Sequence, residues 1–152
     1  MVERGTVAPD FTLESDDRGP IALSDSRGRS VVLYFYPKDD TPGCTIQACD
    51  FRDSLPRFEG VDAVVFGVSA DTVESHRAFR DKFDLNFSLL ADIGGKVSDV
   101  YGVWRERSVP GGTAMGIERS TFLIDEDGIV VGVWRKVDPN GHMEMLANLL
   151  GG

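Results

Sequence analysis

Two runs of β-branched and aromatic residues constrain this chain most. Residues 30–36 read Ser-Val-Val-Leu-Tyr-Phe-Tyr and residues 62–69 read Asp-Ala-Val-Val-Phe-Gly-Val-Ser. A strand with one wet face alternates apolar and polar side chains. Neither run alternates, so both read as central strands buried on two faces. Residues 42–58 between them carry a helical pattern. Strand, helix and strand in that order predict a βαβ unit with a right-handed crossover.

The flanking sequence extends this unit. Residues 5–13 alternate loosely and predict a short edge segment, with Pro9 limiting its pairing. A turn cluster at 16–20 precedes a short strand at 21–23 and a second turn at 26–29. A charged amphipathic helix is expected over 72–83, a strand over 87–91 and a brief helix over 95–101. Residues 108–113 read as a loop. Strands are expected over 116–124 and 129–135, joined through Asp125-Glu126-Asp127-Gly128, where Asp-Gly marks a tight hairpin. Residues 140–150 predict a last helix, with Met143, Leu146, Leu149 and Leu150 on its apolar side. The order favours one α/β domain over residues 1–152, a central mixed β-sheet flanked by helices. A chain of this length has room for a real core.

Charge and targeting signals exclude several functions. The chain has 16 basic and 25 acidic residues, a net charge of −9. Nucleic-acid and anionic-membrane binders need a basic face, so neither partner is expected. No apolar stretch approaches the roughly 20 residues of a membrane span. The start, Met1-Val2-Glu3-Arg4-Gly5, lacks a charged segment followed by an apolar run, so a cytoplasmic protein is expected. Two cysteines without a secretory signal are not a disulfide scaffold. In a reducing compartment such a pair is catalytic, metal-binding or redox-sensing.

Both cysteines lie where the first long strand hands over to its helix. With Thr41 as N-cap, Pro42 is the first helical residue, Gly43 the second and Cys44 the third. A sulfur there faces unpaired backbone N–H groups and the positive end of the helix dipole, which stabilise a thiolate over a thiol. The thiolate is the nucleophilic form. Cys44, Ala48, Phe51, Leu55 and Phe58 make one apolar stripe, so Cys44 should face the core. Cys49 falls off that stripe, and alone it reads equally well as a small buried hydrophobe. Pro56 predicts a break near Ser54-Leu55. Five helical residues separate Cα atoms by roughly 8–9 Å. Cysteines beyond about 7 Å cannot be bridged without backbone movement. If Cys44 and Cys49 ever pair, the helix must therefore partly unwind. The spacing lacks a zinc-type second pair, and a thioredoxin-type exchange motif has two residues between its cysteines, not four.

Pro37-x-x-x-Thr41-x-x-Cys44 resembles the active-site motif of the peroxiredoxins. Cys44-x-x-x-x-Cys49 followed by Asp50-Phe51-Arg52-Asp53 resembles the bacterioferritin comigratory protein, or peroxiredoxin Q, subfamily. The likeness runs from Gly5-x-x-Ala8-Pro9-Asp10-Phe11-x-Leu13 to Gly116-Ile117-Glu118-Arg119-Ser120-Thr121-Phe122-Leu123-Ile124-Asp125. It implies a thioredoxin-like fold and a thiol peroxidase acting on hydrogen peroxide and organic hydroperoxides. By resemblance Cys44 is the peroxidatic cysteine and Cys49 the resolving one. Thr41 then bonds thiolate and peroxide, Pro37 shields the pocket, and Arg119 holds the thiolate and polarises the peroxide. A thioredoxin-type dithiol would be the reductant. Gln47 stands where many members have glutamate, which removes a charge that could orient Arg119. An intramolecular disulfide needs no second subunit, so a monomer is expected.

No metal, haem, flavin or nicotinamide motif is visible, so no cofactor is expected. His76 reads as a surface residue of a charged helix, and His142 as a capping or packing residue. Trp104 and Trp134 read as core or rim, and Asp16-Asp17 and Asp125-Glu126-Asp127 as solvated turns. Two rival functions share the fold: a thiol–disulfide oxidoreductase with little peroxide turnover, and a redox-sensing binding protein. Pro37, Thr41 and Arg119 argue against the first, since disulfide exchange has no use for them.

Overall fold

The computed structural model describes residues 2–54 and 63–140. Its main sheet has seven strands: β1 (Thr12–Ser15), β2 (Gly19–Ala22), β3 (Ser30–Phe35), β4 (Ala63–Ser69), β5 (Ser88–Ala91), β8 (Ser120–Ile124) and β9 (Val130–Arg135). Strands β6 (Trp104–Val109) and β7 (Gly112–Ile117) form a separate antiparallel pair. Helices α1 (Pro42–Ser54), α2 (Val73–Phe83) and α3 (Lys96–Val100) connect them. The spatial order is β2-β1-β5-β4-β3-β8-β9. β3, β4 and β5 run parallel, and the outer pairings are antiparallel, so the sheet is mixed.

The two unalternating runs are the sheet's centre. β3 lies between β4 and β8, and its side chains divide by parity. Val31, Leu33 and Phe35 enter one apolar cluster with Phe66, Val68, Tyr101 and Phe122. Val32, Tyr34 and Tyr36 enter the other with Cys44, Ala48, Phe51, Phe79 and Leu89. Val32, Leu33 and Phe35 are completely buried, which is why this strand has no polar face. Tyr34 stacks on Phe51 of α1 at 4.5 Å between ring centroids. This contact fixes α1 against the sheet and adds about 1 kcal/mol to the area buried.

Four expectations need correction. Residues 108–113 are not simply a loop: they close the β6–β7 ribbon, with only Pro110 and Gly111 outside its strands. Residues 116–124 are not one strand. β7 ends at Ile117 and β8 begins at Ser120, so Glu118 and Arg119 lie between two sheets. The expected edge segment over 5–13 divides at Pro9: Val7 bridges Ile129 and Gly5 N donates to Val130 O beside the edge strand β9, whereas β1 after Pro9 is flanked by β2 and β5. Asp16 is not solvated. It is 5% exposed, its carboxylate pairs with Arg80, and Oδ1 accepts from Leu89 N at 3.0 Å. A turn rich in aspartates reads as wet from its composition, but a cation arriving from α2 makes burial affordable. The stripe positions Leu55 and Phe58, the break near Ser54-Leu55 and the last helix with His142 lie outside the described residues.

Gly67, inside β4, shows how closely the β3–β4 layer is packed. A Cβ there would lie 2.8 Å from Tyr34 Cζ and Oη and 3.0 Å from Leu89 Cδ2. Both obstacles are fully buried and cannot swing into solvent. Gly67→Ala should therefore destabilise the protein by about 1–3 kcal/mol through overpacking. Urea unfolding with an unchanged slope would measure it, and an unchanged midpoint would refute it.

Candidate active site

The sheet register builds the site. β3 pairs with β8 so that Phe35 faces Ser120, which places Arg119 beyond the C-terminal end of β3. The chain leaves β3 at that end, passes through Tyr36 to Thr41, and enters α1. A residue 75 positions away in sequence thereby meets the first turn of α1. The backbone around Arg119 is tied on both sides. Glu118 N donates to Val103 O at 2.8 Å, and Val137 N donates to Arg119 O at 2.9 Å.

Helix α1 begins at Pro42, and Thr45 N donates to Thr41 O at 2.8 Å, the first turn expected from an N-cap at Thr41. The Thr41 hydroxyl differs from the capping expectation: it donates backwards to Lys38 O at 2.9 Å. Its single proton is thus committed, and its oxygen is left as an acceptor. Cys44 is 2% exposed on the core side of α1, and Cys49 is half-buried off the stripe. Both are free thiols within a continuous helix, as the spacing argument requires of the unpaired state. Pro37 is half-buried at the start of the connecting loop.

Arg119 binds this turn as a fork. Nη2 donates to Cys44 Sγ at 3.3 Å, and Nη1 donates to Gln47 Oε1 at 2.7 Å. The guanidinium only donates, so the Gln47 amide must present its oxygen. Gln47 is 1% exposed, and its Nε2 has no partner among the described residues. A buried glutamine on an otherwise apolar face went unrecognised in the stripe, because period alone cannot show a cation arriving from another strand. The neutral amide orients Arg119 without a carboxylate. Beside Arg119 an open groove of about 540 Å³ is lined by Arg105, Glu106, Glu118, Lys136 and Val137. Arg119 is common to groove and sulfur. Nearby, burial and then the charge of Cys44 hold the Tyr34 hydroxyl well above the ordinary phenol range, so it stays protonated.

His76 is not a surface residue. It is fully buried on α2 and lies against the same loop. Nδ1 is 2.7 Å from Asp39 Oδ2 and Nε2 is 3.0 Å from Leu90 O. The charged neighbours of His76 in α2 suggest solvent, but the helix turns His76 toward the sheet together with Phe79. Trp104 and Trp134 pack at the borders of the two clusters, as read from sequence. No group of side chains suited to a metal ion occurs among the described residues. No helix among them is long and apolar enough to cross a membrane.

A sulfur at a helix start, clamped by a distant arginine fork, agrees with the motif. Comparison with known proteins decides the family. Residues 4–133 match the AhpC/TSA family model. The chain belongs to that family. It is 49% identical to peroxiredoxin Bcp of Bacillus subtilis over 93% of this chain and 90% of that protein. It is 40% identical to peroxiredoxin Bcp of Escherichia coli over 98% and 96%. Among solved structures, a cysteine variant of Xylella fastidiosa PrxQ superposes with a TM-score of 0.92 at 36% identity, covering 99% of this chain and 96% of that one. The bacterioferritin comigratory protein of Xanthomonas campestris, solved as a trapped intermediate/ligand complex, gives 0.89 at 37% identity over 99% and 96%. The thioredoxin-like peroxiredoxin fold and the Bcp/peroxiredoxin Q resemblance are both borne out.

Gly43 offers a test of the fork. A Cβ on Gly43 would lie 3.0 Å from Arg119 Nη2, and the long arginine can yield where backbone could not. Gly43→Ala should therefore slow peroxide consumption by about 10-fold or more. It should not reduce stability, since alanine favours helix by up to about 1 kcal/mol. Equal losses of rate and of melting temperature would contradict this.

Proposed function

We propose that the protein is a thiol-dependent peroxidase in which Cys44 is the peroxidatic and Cys49 the resolving cysteine, within a single domain spanning residues 1–152. The observation that carries this reading is the Arg119 fork on Cys44 Sγ. A fixed cation and a helix N-terminus on one sulfur favour thiolate, and the same guanidinium can donate to a peroxide oxygen. The thiolate attacks the terminal peroxide oxygen. The O–O bond breaks, alkoxide or hydroxide leaves and takes a proton from solvent, and the sulfur becomes a sulfenic acid. Thr41, with its proton on Lys38 O, accepts the hydrogen of the incoming hydroperoxide at its oxygen. Pro37 keeps water from this side of the sulfur.

The first turns of α1 then unwind, because an intact helix holds the two cysteines too far apart. The Cys49 thiol attacks the sulfenic sulfur, water leaves, and an internal disulfide forms. A thioredoxin-type dithiol restores both thiols by exchange and is itself oxidised. The disulfide closes within one chain and needs no second subunit, which supports a monomer, and two free thiols in place of a structural disulfide support a reducing compartment such as the cytoplasm. Disulfide exchange without peroxide turnover is the weaker reading, since it leaves the fork without a role.

Stopped-flow peroxide reduction tests the assignment. Cys44→Ser should abolish the first-turnover burst. Cys49→Ser should keep the burst, lose the disulfide, and stop turning over with a thioredoxin-type reductant. A full burst in Cys44→Ser would overturn the proposal.

A further inference from the structure

The loop that carries Pro37 and Thr41 is tied down at its middle residue. Asp39 is 7% exposed and receives three donors. Tyr36 Oη donates to Oδ1 at 2.5 Å. Ser75 Oγ donates to Oδ2 at 2.8 Å, and His76 Nδ1 lies 2.7 Å from the same oxygen. The Asp39 main-chain N–H donates to Asp71 Oδ2 at 2.8 Å, and Ser69 Oγ holds that oxygen at 2.7 Å. The next residue, Asp40, has left-handed backbone (φ 57°) and pairs with Lys82 of α2 at 2.8 Å. The ends of β3 and β4 and the start of α2 thus converge on Asp39.

The donors fix where the protons are. Leu90 O can only accept, so His76 Nε2 carries a hydrogen. Burial and the neighbouring carboxylate keep Tyr36 a phenol, so it donates to Asp39. The Tyr36 and Ser75 hydroxyls both donate to the Asp39 carboxyl, which thus serves as an acceptor, and an accepting oxygen 2.7 Å from Nδ1 calls for a hydrogen on that nitrogen too. Both ring nitrogens then carry hydrogen, and the Asp39–His76 contact is buried beside the Tyr36 ring.

We propose that Asp39 and His76 form a positioning dyad that locks the Pro37–Thr41 loop for attack on peroxide, while leaving α1 free to unwind. Neither residue touches the sulfur. They act through the loop backbone, and every tie described above lies before Thr41, whereas the unwinding that brings Cys49 to Cys44 lies after it. The dyad therefore serves the first chemical step and not the second. This rests on Cys44 as the reacting sulfur.

Two measurements test it. The ring nitrogens of His76 in the reduced wild-type protein, read by nitrogen-15 NMR at neutral pH, should both bear hydrogen. An unprotonated Nδ1 would overturn the dyad whatever the enzyme's activity. His76→Leu strands the carboxylate and should slow the peroxide burst by about 10-fold to 100-fold through misplacement of the loop. The rate of disulfide formation after the burst should stay within about twofold of wild type. Asp39→Asn should restore much of the burst in the His76→Leu background, because an amide needs no counter-charge. Slowing of both steps together, an unchanged burst, or no rescue would each overturn the positioning role. If His76→Leu does not fold, His76→Gln, read by the same two rates, decides between the same outcomes. Loss of the burst in Cys44→Ser with an unchanged His76 spectrum separates this inference from the assignment of Cys44.

Discussion

The structure depends on one constraint: β3 has no face it can show to water. Val32, Leu33 and Phe35 are fully buried, so both sides of the sheet must be covered. One side takes α1 and α2, the other the cluster around Tyr101 and Phe122. The βαβ crossover covers the first of these faces, and it delivers the start of α1 to the carboxyl end of β3. The reactive turn is placed there by hydrophobic necessity, before any chemistry is asked of it.

That placement explains the division of labour around Cys44. The helix start supplies an electrostatic preference for thiolate that is local and needs no partner. Arg119 supplies a directed charge, but only because the β3–β8 register ends its approach at that turn. Gln47 satisfies the second arm of the fork from within the same helix, with no added charge in a nearly water-free setting. A carboxylate there would compete with the sulfur for the guanidinium. The neutral amide holds the fork in place and leaves the cation's charge for sulfur and substrate.

Much of the fold was legible because period-two and period-3.6 patterns follow directly from burial. The strands at 30–36 and 62–69 and the helix at 72–83 sit within a residue or two of their observed bounds. Errors arose where tertiary partners reversed a local preference. His76 and Asp16 looked solvated by composition, yet each is buried against an opposite charge or donor from a distant element. Arg119 looked like part of a strand, because nothing local marks the break between β7 and β8; it is set by Glu118 N reaching Val103 O. Exposed side chains leave no periodic signal at the start of β7, so residues 108–113 read as a loop from sequence.

By itself the sequence determined the central strands, the helix start and the incompatibility of an intact helix with a Cys44–Cys49 bond. Each follows from local sterics, capping and the fixed rise of a helix. The motif alone pointed to Arg119 and to the family. Only the tertiary structure decided which atoms Arg119 holds, that Gln47 completes the fork, and that Asp39 and His76 anchor the loop. Those are contacts between residues far apart in the chain, and hydrogen-bond geometry at that range is set by sheet register and packing, which no local pattern encodes.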